Sequence, residues 1–165
     1  MGSSTIPVPT STAGGATSWT LVANTVPAGS VGTYTYSSLS GYKQYKLIYR
    51  VAPSVAATIQ ITVNGSTSYS WAGIGGVSAA GTTAISLGST TNIGTNGTIG
   101  ALGSGTLIID NADKTIAKDF KFNINNSGAS FDTSGVIDTG VITTLTIALS
   151  TGVFSSGLIA LYGGN

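Results

Sequence analysis

The stretch Gln44-Tyr45-Lys46-Leu47-Ile48-Tyr49-Arg50-Val51-Ala52 decides the fold. Tyr45, Leu47, Tyr49 and Val51 fall on one side of an extended chain, while Lys46, Ile48 and Arg50 fall on the other. A period of two in aromatic and branched residues marks a strand with one face in a core and one towards solvent or a partner. Pro53 stops it, because proline has no N–H to give to a ladder.

The same pattern recurs on both sides of this stretch. Trp19 to Val22 predicts a strand ended by Pro27-Ala28-Gly29, and Val31 to Tyr36 predicts another with Tyr34 and Tyr36 on one face. Thr58 to Val63 and Ser66 to Trp71 flank Asn64-Gly65, a pair suited to a turn whose two central residues need positive φ, so a hairpin is expected there. Residues 73 to 105, with Gly at 73, 75, 76, 81, 88, 94, 97, 100, 103 and 105, predict a long loop or a set of tight turns with at most a short strand at Thr83 to Leu87. Strands resume at Thr106 to Asp110, Phe120 to Asn125, Thr143 to Leu149 and Leu158 to Tyr162. No segment carries helical periodicity over three turns. The expected fold is all-β: a single antiparallel β-sandwich of eight or nine strands over residues 18–165, in jelly-roll form. Residues 1–17 read as an extended N-terminal arm, with Ile6, Pro7, Val8 and Pro9 as a polyproline-type segment able to contact another surface.

Composition excludes several kinds of chemistry. The 165 residues include six Lys+Arg, five Asp, no Glu, no His and no Cys. Thiolate or imidazole metal centres, disulfides and a Ser/His/Asp triad are therefore ruled out. A net charge of +1 with no basic run gives little attraction for a phosphate backbone, so nucleic acid is not expected as a partner. No apolar run approaches the ~18 residues of a membrane span, and the first 42 residues hold no Lys or Arg to form a secretory n-region, so a soluble, unexported chain is expected. The 41 Leu, Ile, Val and Phe residues suffice for a core, and 47 Ser and Thr give a neutral, hydroxyl-rich surface.

The glycine-rich 73 to 105 stretch has no phosphate-loop spacing and no following Lys, so its glycines read as turn residues. Asp110, Asp113 and Asp119 alternate with Lys114, Lys118 and Lys121, which predicts a solvated, self-neutralising patch. Calcium at Asp110, Asn111 and Asp113 fits no known loop spacing, and a glycosidase pair would have to come from Asp113, Asp132 or Asp138. Neither is adopted: no enzyme activity, cofactor or metal is expected. Tyr69 and Trp71 alternate on one strand beside glycines and form a possible ligand platform for stacking sugars, weighed against ordinary core packing.

Ile142 to Gly164, ITTLTIALSTGVFSSGLIALYGG, resembles the C-terminal hairpin of many bacteriophage structural proteins. Trp19 and the Ser40-Gly41-Tyr42-Lys43-Gln44-Tyr45 lead into the long strand are similar to the early strands of the same virion β-sandwiches. The resemblance covers residues 19 to 52 and 142 to 164. It implies a capsid decoration or cement protein that associates with itself as a homotrimer and with the major capsid protein or other virion proteins on the capsid surface. The alternative is a tail or fibre-tip module that binds a receptor or glycan.

Overall fold

The computed structural model describes residues 18–77, 82–90, 92–93, 98–126, 129–137 and 139–165. Eleven strands form among them: β1 Trp19–Thr25, β2 Thr33–Tyr36, β3 Gln44–Pro53, β4 Ile59–Val63, β5 Tyr69–Val77, β6 Thr82–Thr90, β7 Gly103–Ile109, β8 Lys118–Asn126, β9 Ala129–Ile137, β10 Leu145–Leu149 and β11 Phe154–Gly164. Eight make one sheet in the order β1-β11-β3-β7-β8-β9-β5-β6, and three make a second in the order β2-β10-β4. Every pairing is antiparallel.

The all-β, two-sheet expectation stands. The strands divide eight to three, whereas a jelly roll shares eight strands between two sheets, so the jelly-roll form does not follow from this order. The predicted arm, with Ile6, Pro7, Val8 and Pro9, lies outside the described residues.

The alternation in Gln44–Ala52 is realised: Tyr45, Leu47, Tyr49 and Val51 are buried. They meet Ile59, Ile61 and Val63 of β4 and Leu145, Ile147 and Leu149 of β10 in one core cluster, joined by Leu107, Phe120, Phe122, Phe154, Ile159 and Leu161. Three strands cannot roof eight, and Ile93 and Ile99, beyond β6, extend the roof. The bridges Ile61↔Ile93 and Ala57↔Ile99 hold these two residues beside β4 and the residues before it, and both are buried.

Two expectations are corrected. The glycine-rich stretch is not one long loop, because β5 continues through Gly73, Gly75 and Gly76 and pairs with all of β6. Glycine adds nothing to a hydrophobic period, so a strand built with it leaves no pattern to read. What replaces its missing side chain comes from the neighbouring strand. A Cβ at Gly105 would lie 2.5 Å from the Tyr49 hydroxyl, so the Tyr49 ring occupies the space over its cross-strand partner, and the Phe120 ring lies over Gly135 in the same way. The strand β9, for which the sequence predicts nothing, is hidden for the same reason: Gly135 and four polar residues dilute its apolar positions.

The Asn64-Gly65 hairpin is the second correction. Both residues have positive φ, 51° and 66°, and the Ser66 N–H donates to the Val63 carbonyl at 2.8 Å, so the turn has the expected conformation. Its flanking strands do not pair, because β4 belongs to the small sheet and β5 to the large one. The turn is a crossing between sheets, and the Asn64 side chain ties it to a distant segment. Its amide nitrogen donates to the Thr139 hydroxyl and the Val141 carbonyl, and its oxygen accepts from the Thr143 and Thr144 N–H groups and the Thr143 hydroxyl, all at 2.8–3.2 Å.

Replacing Asn64 separates these roles. Asn64→Gly keeps the positive φ and loses the amide bonds, for an expected cost of about 2 kcal/mol. Asn64→Ala adds left-handed strain of about 1 kcal/mol more. Denaturant unfolding of both variants measures the difference.

Candidate functional site

The face of the large sheet turned away from the core is built by the other half of each strand alternation. Strand register places Tyr162, Lys46, Ile108, Lys121, Ser134 and Ala72 in one row across β11, β3, β7, β8, β9 and β5. The next row runs Ala160, Ile48, Thr106, Asn123 and Asp132, and the third Leu158, Arg50, Ser104, Asn125 and Ser130. Ile48 is 38% exposed, Leu158 44% and Val136 41%, and Leu21 on β1 extends this apolar exposure at 53%.

The two halves of this face differ. Towards β3 it is basic and aliphatic. The Lys46 ammonium lies 4.3 Å from the centre of the Trp19 ring and 5.6 Å from that of Tyr162, held by the negative ring faces. Towards β9 the face is hollow and acidic. A shallow cavity of about 290 Å³ is lined by Thr106, Ile108, Lys121, Asn123, Asp132 and Ser134. A second, of about 670 Å³, shares Lys121 and Ser134 and continues past Asp119 and Val136 to Ser70 and Ala72. The Asn123 amide donates to Asp132 at 2.6 Å and fixes that carboxylate on rigid strands.

The residues singled out by sequence are not gathered in one place. Tyr69 is fully buried, and its hydroxyl accepts the Val63 N–H at 2.9 Å. A stacking platform needs an accessible ring, so Tyr69 serves the core. Trp71 pairs through its backbone with Gly135 and Gly88, and its side chain lies outside the described residues. Asp110 accepts from the Gln44 amide at 2.5 Å, and Asp113 pairs with Lys114 at 2.9 Å. Asp138 lies outside the described residues.

The solvated patch is corrected at Lys118, which is fully buried. Its ammonium donates to the carbonyls of Lys114, Ile116 and Thr139. A loop that turns three carbonyls onto one cation is not visible in a run of alternating Asp and Lys. Nor is the Trp19, Lys46 and Tyr162 cluster, whose members meet only because β1, β11 and β3 are neighbours in the sheet.

Comparison with protein-family models, curated protein sequences and solved structures finds no match.

Titration follows from burial. Burial pushes the Tyr49 phenol far above its ordinary value, and it also raises Tyr36, Tyr45 and Tyr69. An unfolded chain loses these protons near pH 10 while the folded one keeps them, so stability falls as pH rises past about 10. Burial lowers Lys118, with Asp113 opposing, which has the opposite sign: its contribution improves as pH rises towards the unfolded value of 10.5. Four tyrosines outweigh one lysine. Thermal melts should be flat from about pH 5 to 8, since the chain has no His. They should fall above about pH 10, with a smaller fall in Tyr49→Phe, whose hydroxyl is buried without a partner among the described residues.

Proposed function

We propose that this chain is a structural protein of a bacteriophage particle, a head decoration or cement protein that works by binding other protein surfaces. The observation that carries the reading is the outer face of the eight-stranded sheet: broad, made of rigid strands, nearly balanced in charge, and studded with exposed Ile48, Leu158, Val136 and Leu21. A surface with few charges and exposed aliphatic side chains favours association. Eleven ionisable Lys, Arg and Asp residues over 165 positions leave hydroxyl, amide and apolar contacts to carry such interfaces. The resemblance of residues 19 to 52 and 142 to 164 to virion β-sandwiches supports the same reading. In it the partners are other copies of the chain, as a trimer on the capsid, and the major capsid protein.

One observation favours a second reading, a glycan-binding module at a tail or fibre tip. The hollow half of the face presents Asn123 and Asp132, hydrogen-bonded to one another, beside the Lys121 ammonium, the kind of polar set that orients a sugar.

Electron microscopy of intact particles separates the two. Density for this chain over the head lattice is the expected result, and density confined to the tail tip overturns the decoration reading. On a glycan array the decoration protein shows no binding, whereas a lectin binds and loses binding in Asn123→Ala.

A further inference from the structure

The outer face of the large sheet is complementary to itself, and we infer that it is a two-fold interface between two copies of this chain. Its basic half lies along β3: Lys46, Ile48 and Arg50 follow one another on the outward side of that strand, with Leu158 beside Arg50 on β11. Its acidic half is hollow, with Asp132 fixed by Asn123 at the edge of the cavity between β7 and β9. The cations on β3 of one copy therefore answer the Asp132 carboxylate of the other.

The strand order supplies the geometry. In the order β11-β3-β7-β8-β9-β5, a two-fold axis parallel to the strands and between β7 and β8 lays β3 of one copy on β9 of the other. The same rotation lays β7 on β8 and β11 on β5. Strand register then decides which side chains meet. Asp132 shares its row with Asn123, Thr106 and Ile48, so it falls opposite Ile48, in the interval between Lys46 and Arg50. Those two cations stand two residues apart on either side, ~3.3 Å per residue along the strand, within reach of one carboxylate. Tyr162 falls opposite Ala72, a large side chain over a small one. Each contact occurs twice, as an isologous interface requires.

Lys121 on β8 stands beside the axis, one strand from its symmetry mate, and the other copy's Asp110 and Asp119, which the same rotation sets one row away, offset that repulsion. Among the described residues the only ion pair is Lys114–Asp113, so Lys46 and Arg50 have no carboxylate partner of their own there. Asp110 and Asp119 face one another's copies at the open end of the sheet, where solvent screens them and the Gln44 amide already covers Asp110.

The area is adequate. Six strands ~4.8 Å apart and about seven residues long give a face of roughly 650 Å², near the ~800 Å² per partner of a stable interface. The inference concerns the isolated chain and holds whether or not that chain belongs to a particle. The two-fold is also independent of any three-fold about which copies trimerise.

Charge exchange tests it. Arg50→Asp and Asp132→Arg each put like charges into both symmetry-related clusters, so each variant alone should dissociate at least about tenfold more readily than the parent in sedimentation equilibrium. Mixed together, the two restore both clusters, and the mixture should associate as the parent does. Both positions are exposed, and matching circular dichroism spectra and melting temperatures show that the variants fold. The parent's association should also weaken as sodium chloride rises. A parent that stays monomeric up to about 1 mM, single variants that associate unchanged, or a mixture that fails to recover overturns the inference. Monomeric behaviour leaves the face to a different protein or a glycan.

Discussion

Asn64 stands where the chain leaves the three-stranded sheet for the eight-stranded one, and its amide is the bond on which the relation between the sheets depends. Both amide protons and the carbonyl oxygen are used, and every partner lies in residues 139–144, some 75 to 80 positions along the chain. Residues 142–144 lead directly into β10, the central strand of the small sheet. The Asn64 N–H also donates to the Thr144 carbonyl, so backbone and side chain seize the same segment. Position β10 differently and Leu145, Ile147 and Leu149 no longer meet β3. An amide satisfied on all sides has no looser arrangement of comparable energy, which is how one polar side chain can specify the docking of an apolar core.

Sequence showed part of this plainly. The period-2 run from Gln44 to Ala52 announced both its buried face and its free one, and the positive φ values at Asn64 and Gly65 followed from their residue types. Which strands that turn would join did not follow, because turn chemistry governs a few dihedrals and pairing is settled by long-range packing. The glycine-rich strands were illegible for a related reason. The Tyr49 and Phe120 rings that fill the room over Gly105 and Gly135 belong to other strands, so the pattern exists only after folding.

The candidate site was legible only in halves. Lys46 and Arg50 were visible as the polar side of a strand, but their neighbours Trp19 and Tyr162 come from opposite ends of the chain. Lys118 read as a solvated charge and burial reverses that, while Tyr69, weighed between a stacking platform and the core, goes to the core; neither a ring of carbonyls nor a hydroxyl docked on a backbone N–H leaves a trace in local composition. The division of labour across the large sheet is nevertheless simple. One face builds the core and the other stays exposed, so core and outer surface are read from alternate letters of the same strands.

Eight strands against three leave a large area of sheet that the small sheet cannot cover, and this imbalance gives the composition a meaning in terms of hydration. The strands furthest along that sheet, β9, β5 and β6, are rich in Ser, Thr, Gly and Ala and carry a single charge, Asp132. On β9 the outward side chains are Ser130, Asp132, Ser134 and Val136, a surface wetted by hydroxyls and peptide groups and by one ion. Its solubility is consequently a matter of water activity: salts and osmolytes that are excluded from protein surfaces will drive it out of solution readily, while its net charge of +1 provides almost no repulsion to hold copies apart.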